Sequence, residues 1–104
     1  MPKLIVLYPS PDDVAVFERR YHDEHVPLAL ANIPGLKRFF SAKVLGTPEG
    51  PAPYQCVAEL YFDSMASLQA AMSAPEAQAV VAHAVEISTG GPPVVLIGED
   101  EVWL

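Results

Sequence analysis

The sequence contains a single cysteine among 104 residues. One thiol closes no internal disulfide and builds no thiolate metal site, so a disulfide framework and zinc-ribbon chemistry are excluded. With no targeting signal either, a reducing cytoplasm is the expected compartment. Basic residues are scarce as well: six Lys and Arg stand against thirteen Asp and Glu, for a net charge of −7. A chain of that sign repels phosphate backbones and anionic lipid surfaces, so neither nucleic acid nor membrane is an expected partner. All six bases lie at or before Lys43, where they meet five acids; the remainder holds eight acids and no base. A solvated acidic surface is the simpler reading of that asymmetry, and weak attraction between the halves or between subunits is the other. No apolar run approaches the roughly 18–20 residues of a membrane span, and Leu4–Leu7 is too short for a signal-peptide core. GxGxxG, P-loop, GxSxG and CxxC motifs are absent, which leaves nucleotide cofactors and serine or cysteine nucleophiles without support.

What is present is apolar. Half of the residues are hydrophobic (51%), only 18% are charged, and mean hydropathy is +0.23. Residues 1–104 have the length of one domain, and a domain of this size buries only about 65% of its unfolded surface by itself. The apolar surplus therefore predicts a tight core and a self-association surface, that is, a homodimer.

Lys3–Tyr8 reads KLIVLY, a strand closed by Pro9-Ser10-Pro11. Asp12 or Ser10 is placed to cap a helix whose apolar stripe runs Val14, Phe17, Tyr21, Leu28, with His25 on the same line. Pro27 has no amide to donate, so that helix should end, kink or change pitch at about residues 23–27. After the Ile33-Pro34-Gly35 breaker, Leu36–Leu45 is strand-like and Gly46–Pro53 is a loop. Tyr54–Phe62 alternates cleanly: Tyr54, Cys56, Ala58, Leu60 and Phe62 face the core, and Gln55, Val57, Glu59 and Tyr61 face away. Asp63 or Ser64 begins a helix through Met72, Pro75 restarts helix to Ile87, and Val94–Ile97 forms a last strand with Gly98 as a bend or bulge. The order βαββαβ predicts an α+β, ferredoxin-like fold: a four-stranded antiparallel sheet with helices on one face. The other face, carrying Val57 and Tyr61, is too apolar for water and invites a second sheet.

The densest chemistry is YHDEHVPL, Tyr21–Leu28. Tyr21 and His25 are four apart and share a helix face; His25 is suited to proton transfer near neutral pH, and the Tyr21 phenol to orienting it or a substrate oxygen. The plain alternative is a core histidine satisfied by its neighbours. His22 points off the stripe into solvent, and His83 reads as surface or packing. His22, Asp23 and His25 lack a well-placed third metal ligand, so no metal is expected. Glu59, an acid inside a strand, either orients His25 or a substrate or blunts a sheet edge. Tyr8, Phe39, Phe40, Tyr61 and Trp103 are aromatics able to wall an apolar pocket.

The opening KLIVLYP, then Phe17, Tyr21-x-x-x-His25-x-Pro27-Leu28, Pro34-Gly35-Leu36 and the later AELYFDSMASLQAAMSAPE together resemble the EthD family over nearly the whole chain. The resemblance implies a dimeric α+β barrel and singles out His25. EthD proteins accompany a cytochrome P450 in ether degradation, and wider relatives with this barrel include cofactor-independent monooxygenases and muconolactone-type isomerases. The expectation is thus a homodimer binding a hydrophobic cyclic or aromatic metabolite, without a bound cofactor. His25 and Tyr21 are its candidate catalytic pair, and Tyr8, Phe40, Glu59 and Tyr61 its candidate substrate-binding residues. If it is an enzyme, it is an isomerase or a cofactor-independent oxidoreductase; the alternative is a non-catalytic accessory or binding protein for an oxygenase-based pathway.

Overall fold

The computed structural model describes every residue from Met1 to Leu104. The elements run β1 (Pro2–Pro9), α1 (Val14–Arg20), a π-helical turn (Tyr21–His25), α2 (Val26–Asn32), β2 (Arg38–Lys43), β3 (Tyr54–Tyr61), α3 (Met65–Ser73), α4 (Pro75–Ile87) and β4 (Val94–Glu99). The four strands form one antiparallel sheet in the order β2-β3-β1-β4, with the helices on one face, as the ferredoxin-like pattern requires. No helix is long and apolar enough to cross a membrane.

Strand parity decides which side chains meet the helices. On β1 the even positions Leu4, Val6 and Tyr8 point inward, and on β3 Cys56, Ala58 and Leu60 do so, followed by Phe62. Leu4, Ala58, Leu60, Phe62, Leu68 and Ala71 make one core cluster. Tyr8, Phe17, Tyr21, Cys56 and Ile87 make a second. Phe62 and Leu68 are fully buried, each worth about 1.5–3 kcal/mol in apolar burial. The outward face presents Ile5 and Leu7 of β1, Phe40 of β2, Val57 of β3 and Leu96 of β4, with Phe40 51% and Leu96 48% exposed. Such a large apolar surface on one side of a sheet is unusual for a protein that stays alone in water.

Several local expectations are corrected. Asp13, not Asp12 or Ser10, caps α1: its extended backbone lets the carboxylate accept from the Val16 N–H at 3.1 Å, while Asp12 uses its own N–H on Thr89. Strand β2 runs only from Arg38 to Lys43, shorter than Leu36–Leu45, with the Gly35 turn at φ +77° three residues before its start. Gly98 is no bulge; it pairs in register with Lys3, and Ile5 packs where its side chain would be. Val14 lies off the buried stripe and is half exposed.

Candidate functional site

Phe17, Tyr21 and His25 are spaced by four. Four residues of α-helix overshoot one turn by about 40°, so a purely α-helical run would carry the third ring off the line of the first two. Pro27 changes that. Its ring clashes with a carbonyl one turn back and it has no N–H to donate, and the chain responds with the wider π turn, closed by Val26 N–H to Tyr21 O. The rings then form one column. Phe17 stacks on Tyr21 (centroids 5.6 Å apart, 12° between planes), Tyr21 on His25 (5.7 Å, 23°) and His25 on His83 of α4 (5.1 Å, 16°). The expected change of pitch is thus the device that aligns the site.

His25 is buried, and both ring nitrogens are engaged. Nε2 lies 3.1 Å from the Tyr8 hydroxyl and Nδ1 lies 2.9 Å from Nδ1 of His83. Nε2 of His83 lies 2.9 Å from the Glu24 carboxylate, which also accepts from Arg20 Nε at 3.1 Å; Arg20 pairs in turn with Glu86. A continuous polar path therefore runs from Tyr8 in the interior to an exposed ion-pair cluster. Burial, with the His83 charge second, lowers the His25 pKa to about 4, so the ring is neutral at neutral pH. Burial also raises the Tyr8 and Tyr21 phenols, which stay protonated donors. Glu24 is held below the usual carboxylate range by His83 first and Arg20 second.

An apolar cavity of about 300 Å³ lies between the helices and the sheet. Its walls include Val6, Ala58, Leu60, Val80, Ala84 and Val95, and the polar heads along them are Tyr8, Tyr21 and His25. The volume is at the small end of ligand sites.

The structure divides the six candidate residues into two groups. Tyr8, Tyr21 and His25 meet at the cavity. Phe40, Glu59 and Tyr61 do not; they line a separate, open hollow of about 480 Å³ on the outward sheet face, with Met1, Arg38 and Trp103. Glu59 neither touches His25 nor sits at an edge: β3 is an inner strand, and the carboxylate pairs with Lys3 at 2.6 Å. Lys3 also reaches Asp100 at 2.8 Å and the Tyr61 hydroxyl at 3.2 Å, with its ammonium over the Tyr61 ring. Tyr21 shares a face with His25, but its hydroxyl bonds Ser41 at 2.8 Å, and it is Tyr8 that bonds the imidazole. His83 is a direct partner of His25 rather than surface. A signal for it existed: position 83 lies three after buried Val80 and four before buried Ile87, on the rim of the inward stripe of α4. His22 is exposed, as its place off the stripe implies, and no group of three His, Cys, Asp or Glu side chains is clustered as metal ligands.

Residues 11–87 match the family model of the EthD domain. An uncharacterized 11.0 kDa protein in the thcB-thcC intergenic region of Rhodococcus erythropolis is 32% identical over 102 residues, 98% of each chain. The crystal structure of an ethyl tert-butyl ether degradation (EthD) family protein from Bacillus halodurans superposes with TM-score 0.89 at 35% identity, covering 97% of this chain and 99% of the other. A dimeric ferredoxin-like protein of unknown function from Jannaschia sp. CCS1 shares the fold at TM-score 0.67 and 18% identity, with 95% and 97% covered.

Proposed function

The chain belongs to the EthD family, and on that premise we propose that it is a small homodimeric protein whose cavity receives a compact cyclic or aromatic metabolite and whose His25 centre performs acid–base chemistry on it, of the isomerase or cofactor-independent oxygenase type. One observation carries the reading. An apolar cavity of about 300 Å³ carries its only phenol and imidazole groups in one cluster, where a neutral His25 is hydrogen-bonded to the protonated Tyr8 phenol and stacked on Tyr21, so proton exchange with a bound molecule can run through the Tyr8–His25 pair. The outward face of Ile5, Leu7, Phe40, Val57 and Leu96 supports dimerisation, since a second sheet laid on it would remove that surface from water. The dimeric Jannaschia protein of the same fold is consistent with that arrangement.

A second reading, a non-catalytic carrier or accessory protein for an oxygenase-based pathway, is favoured by the fact that both His25 nitrogens already have protein partners. Phenol is a suitable probe for the site common to both readings. Titrated to about 10 mM, a range that captures millimolar affinities, it should shift the amide resonances of Ala58, Val80 and Ala84, and Ala84→Phe should abolish the response by filling the cavity. Unmoved cavity amides in the wild-type protein would overturn the proposal. His25→Ala then separates the readings: a carrier keeps most of its phenol affinity, whereas an enzyme loses about two to four orders of magnitude in turnover of its ring substrate.

A further inference from the structure

The His25–His83 contact joins two Nδ1 atoms, and one proton must lie between them. The ends of the path fix which ring donates. Glu24 is a carboxylate and accepts, so His83 Nε2 carries hydrogen. A neutral His83 then has a bare Nδ1, which accepts the Nδ1–H of His25. His25 Nε2 is left bare in turn and accepts from the Tyr8 hydroxyl, a protonated donor. With both rings neutral, every hydrogen on the path points from the cavity toward Glu24. If His83 carries both protons, its Nε2–H still donates to Glu24 but the two inner links reverse: His83 Nδ1–H donates to His25, His25 Nε2–H donates to Tyr8, and the Tyr8 hydrogen turns toward the cavity. The two states differ by one proton and one reversal of direction.

We propose that Tyr8, His25, His83 and Glu24 form a proton relay between the cavity and solvent, in which a proton removed from a cavity-bound molecule comes to rest on His83, with His83 and Glu24 acting as positioning residues for His25. The step balances. The bound acid gives its proton to the Tyr8 oxygen, Tyr8 passes its own to His25 Nε2, and His25 releases its Nδ1 proton to His83 Nδ1. The molecule in the cavity becomes an anion, His83 becomes an imidazolium against the Glu24 carboxylate, and His25 stays neutral throughout with its tautomer exchanged. The arrangement reconciles two properties that otherwise conflict: a buried imidazole holds a positive charge poorly, yet a base must accept a proton. Charge is delivered to the ring that has a carboxylate at 2.9 Å and a side chain 15% exposed, outside the apolar cavity. The other groups facing this pair are Arg20 of α1, which holds Glu24, Tyr21, which stacks on His25, and Glu86 of α4, which holds Arg20. The inference rests on reading the cavity as the functional site, but its test does not.

Long-range 1H–15N spectra of ligand-free, 15N-histidine-labelled protein distinguish the two neutral tautomers from the imidazolium. At about pH 8 His25 should be the Nδ1–H tautomer and His83 the Nε2–H tautomer. When acid adds one proton to the pair, the imidazolium should appear on His83, beside the Glu24 carboxylate, while His25 remains neutral and converts to Nε2–H. Glu24 is exposed, so Glu24→Gln should fold normally and move this conversion to lower pH, because the imidazolium loses a carboxylate at 2.9 Å. His25 found as Nε2–H at pH 8, His25 keeping Nδ1–H after His83 is charged, or a conversion unmoved by Glu24→Gln would each overturn the relay. Because no ligand is present, failure of the relay leaves the phenol experiment standing, and failure of phenol binding leaves these spectra unaffected.

Discussion

At the scale of the residue, His25 joins stability to pH. Its pKa of about 4 in the folded chain lies below the ordinary value of 6.5, so on acidification the unfolded chain takes up the proton first. Stability is insensitive to His25 above about pH 6.5 and falls as pH drops through that value toward 4, by at most about 3 kcal/mol. Urea midpoints measured between pH 7.5 and 4.5 should decline more steeply for the wild-type protein than for His25→Gln; equal slopes would show that burial does not depress the imidazole. Glu24 and Asp100, held low by His83 and by Lys3 respectively, add further acid sensitivity at lower pH in both proteins alike. The Tyr21–His25 face was legible in the sequence, because spacing by four is a local property of helices. The Tyr8 hydroxyl was not. Strand parity tells which face a side chain takes, yet not which ring of another element lies opposite.

At the scale of the element, the proline at 27 announced a change of pitch. The sequence could not tell a break from a π turn, since that choice depends on whether tertiary contacts hold the three rings in column. Glu59 illustrates the same limit in the sheet. Its outward orientation followed from alternation, but whether β3 is an edge or an inner strand depends on pairing with β1, about fifty residues away in the chain. The loop between α4 and β4 carries a constraint of its own. A side-chain carbon at Gly90 would lie 1.8 Å from the Ser10 carbonyl oxygen and 2.7 Å from its carbon, so the two loops cross where only hydrogen fits. Gly90→Ala should cost about 2 kcal/mol or more through forced displacement of backbone, read as a lowered urea midpoint. An unchanged midpoint would mean that the crossing is loose.

At the scale of the whole molecule, the uneven charge proves partly structural. Lys3 with Glu59 and Asp100, Arg20 with Glu86 and Lys37 with Asp63 all join a base of the first half to an acid of the second. Part of the apolar surplus falls on the outward sheet face, and the proposed dimer is tested there. Leu96 is about half exposed and contributes little to the monomer core, so Leu96→Glu should leave the fold intact and give a monomer in sedimentation velocity. A wild-type protein that sediments as a monomer would remove the dimer. Strand order has a consequence in time. β1 is the first element of this chain to leave the ribosome, yet its neighbours are Tyr54–Tyr61 and Val94–Glu99, and the second of these is the last strand made. During synthesis at about 5–20 residues per second, the segment KLIVLY waits several seconds with both backbone edges unpaired. Lys3 opens that run and Pro2 and Pro9 flank it, residue types that resist intermolecular strand pairing while its partners are still to be made.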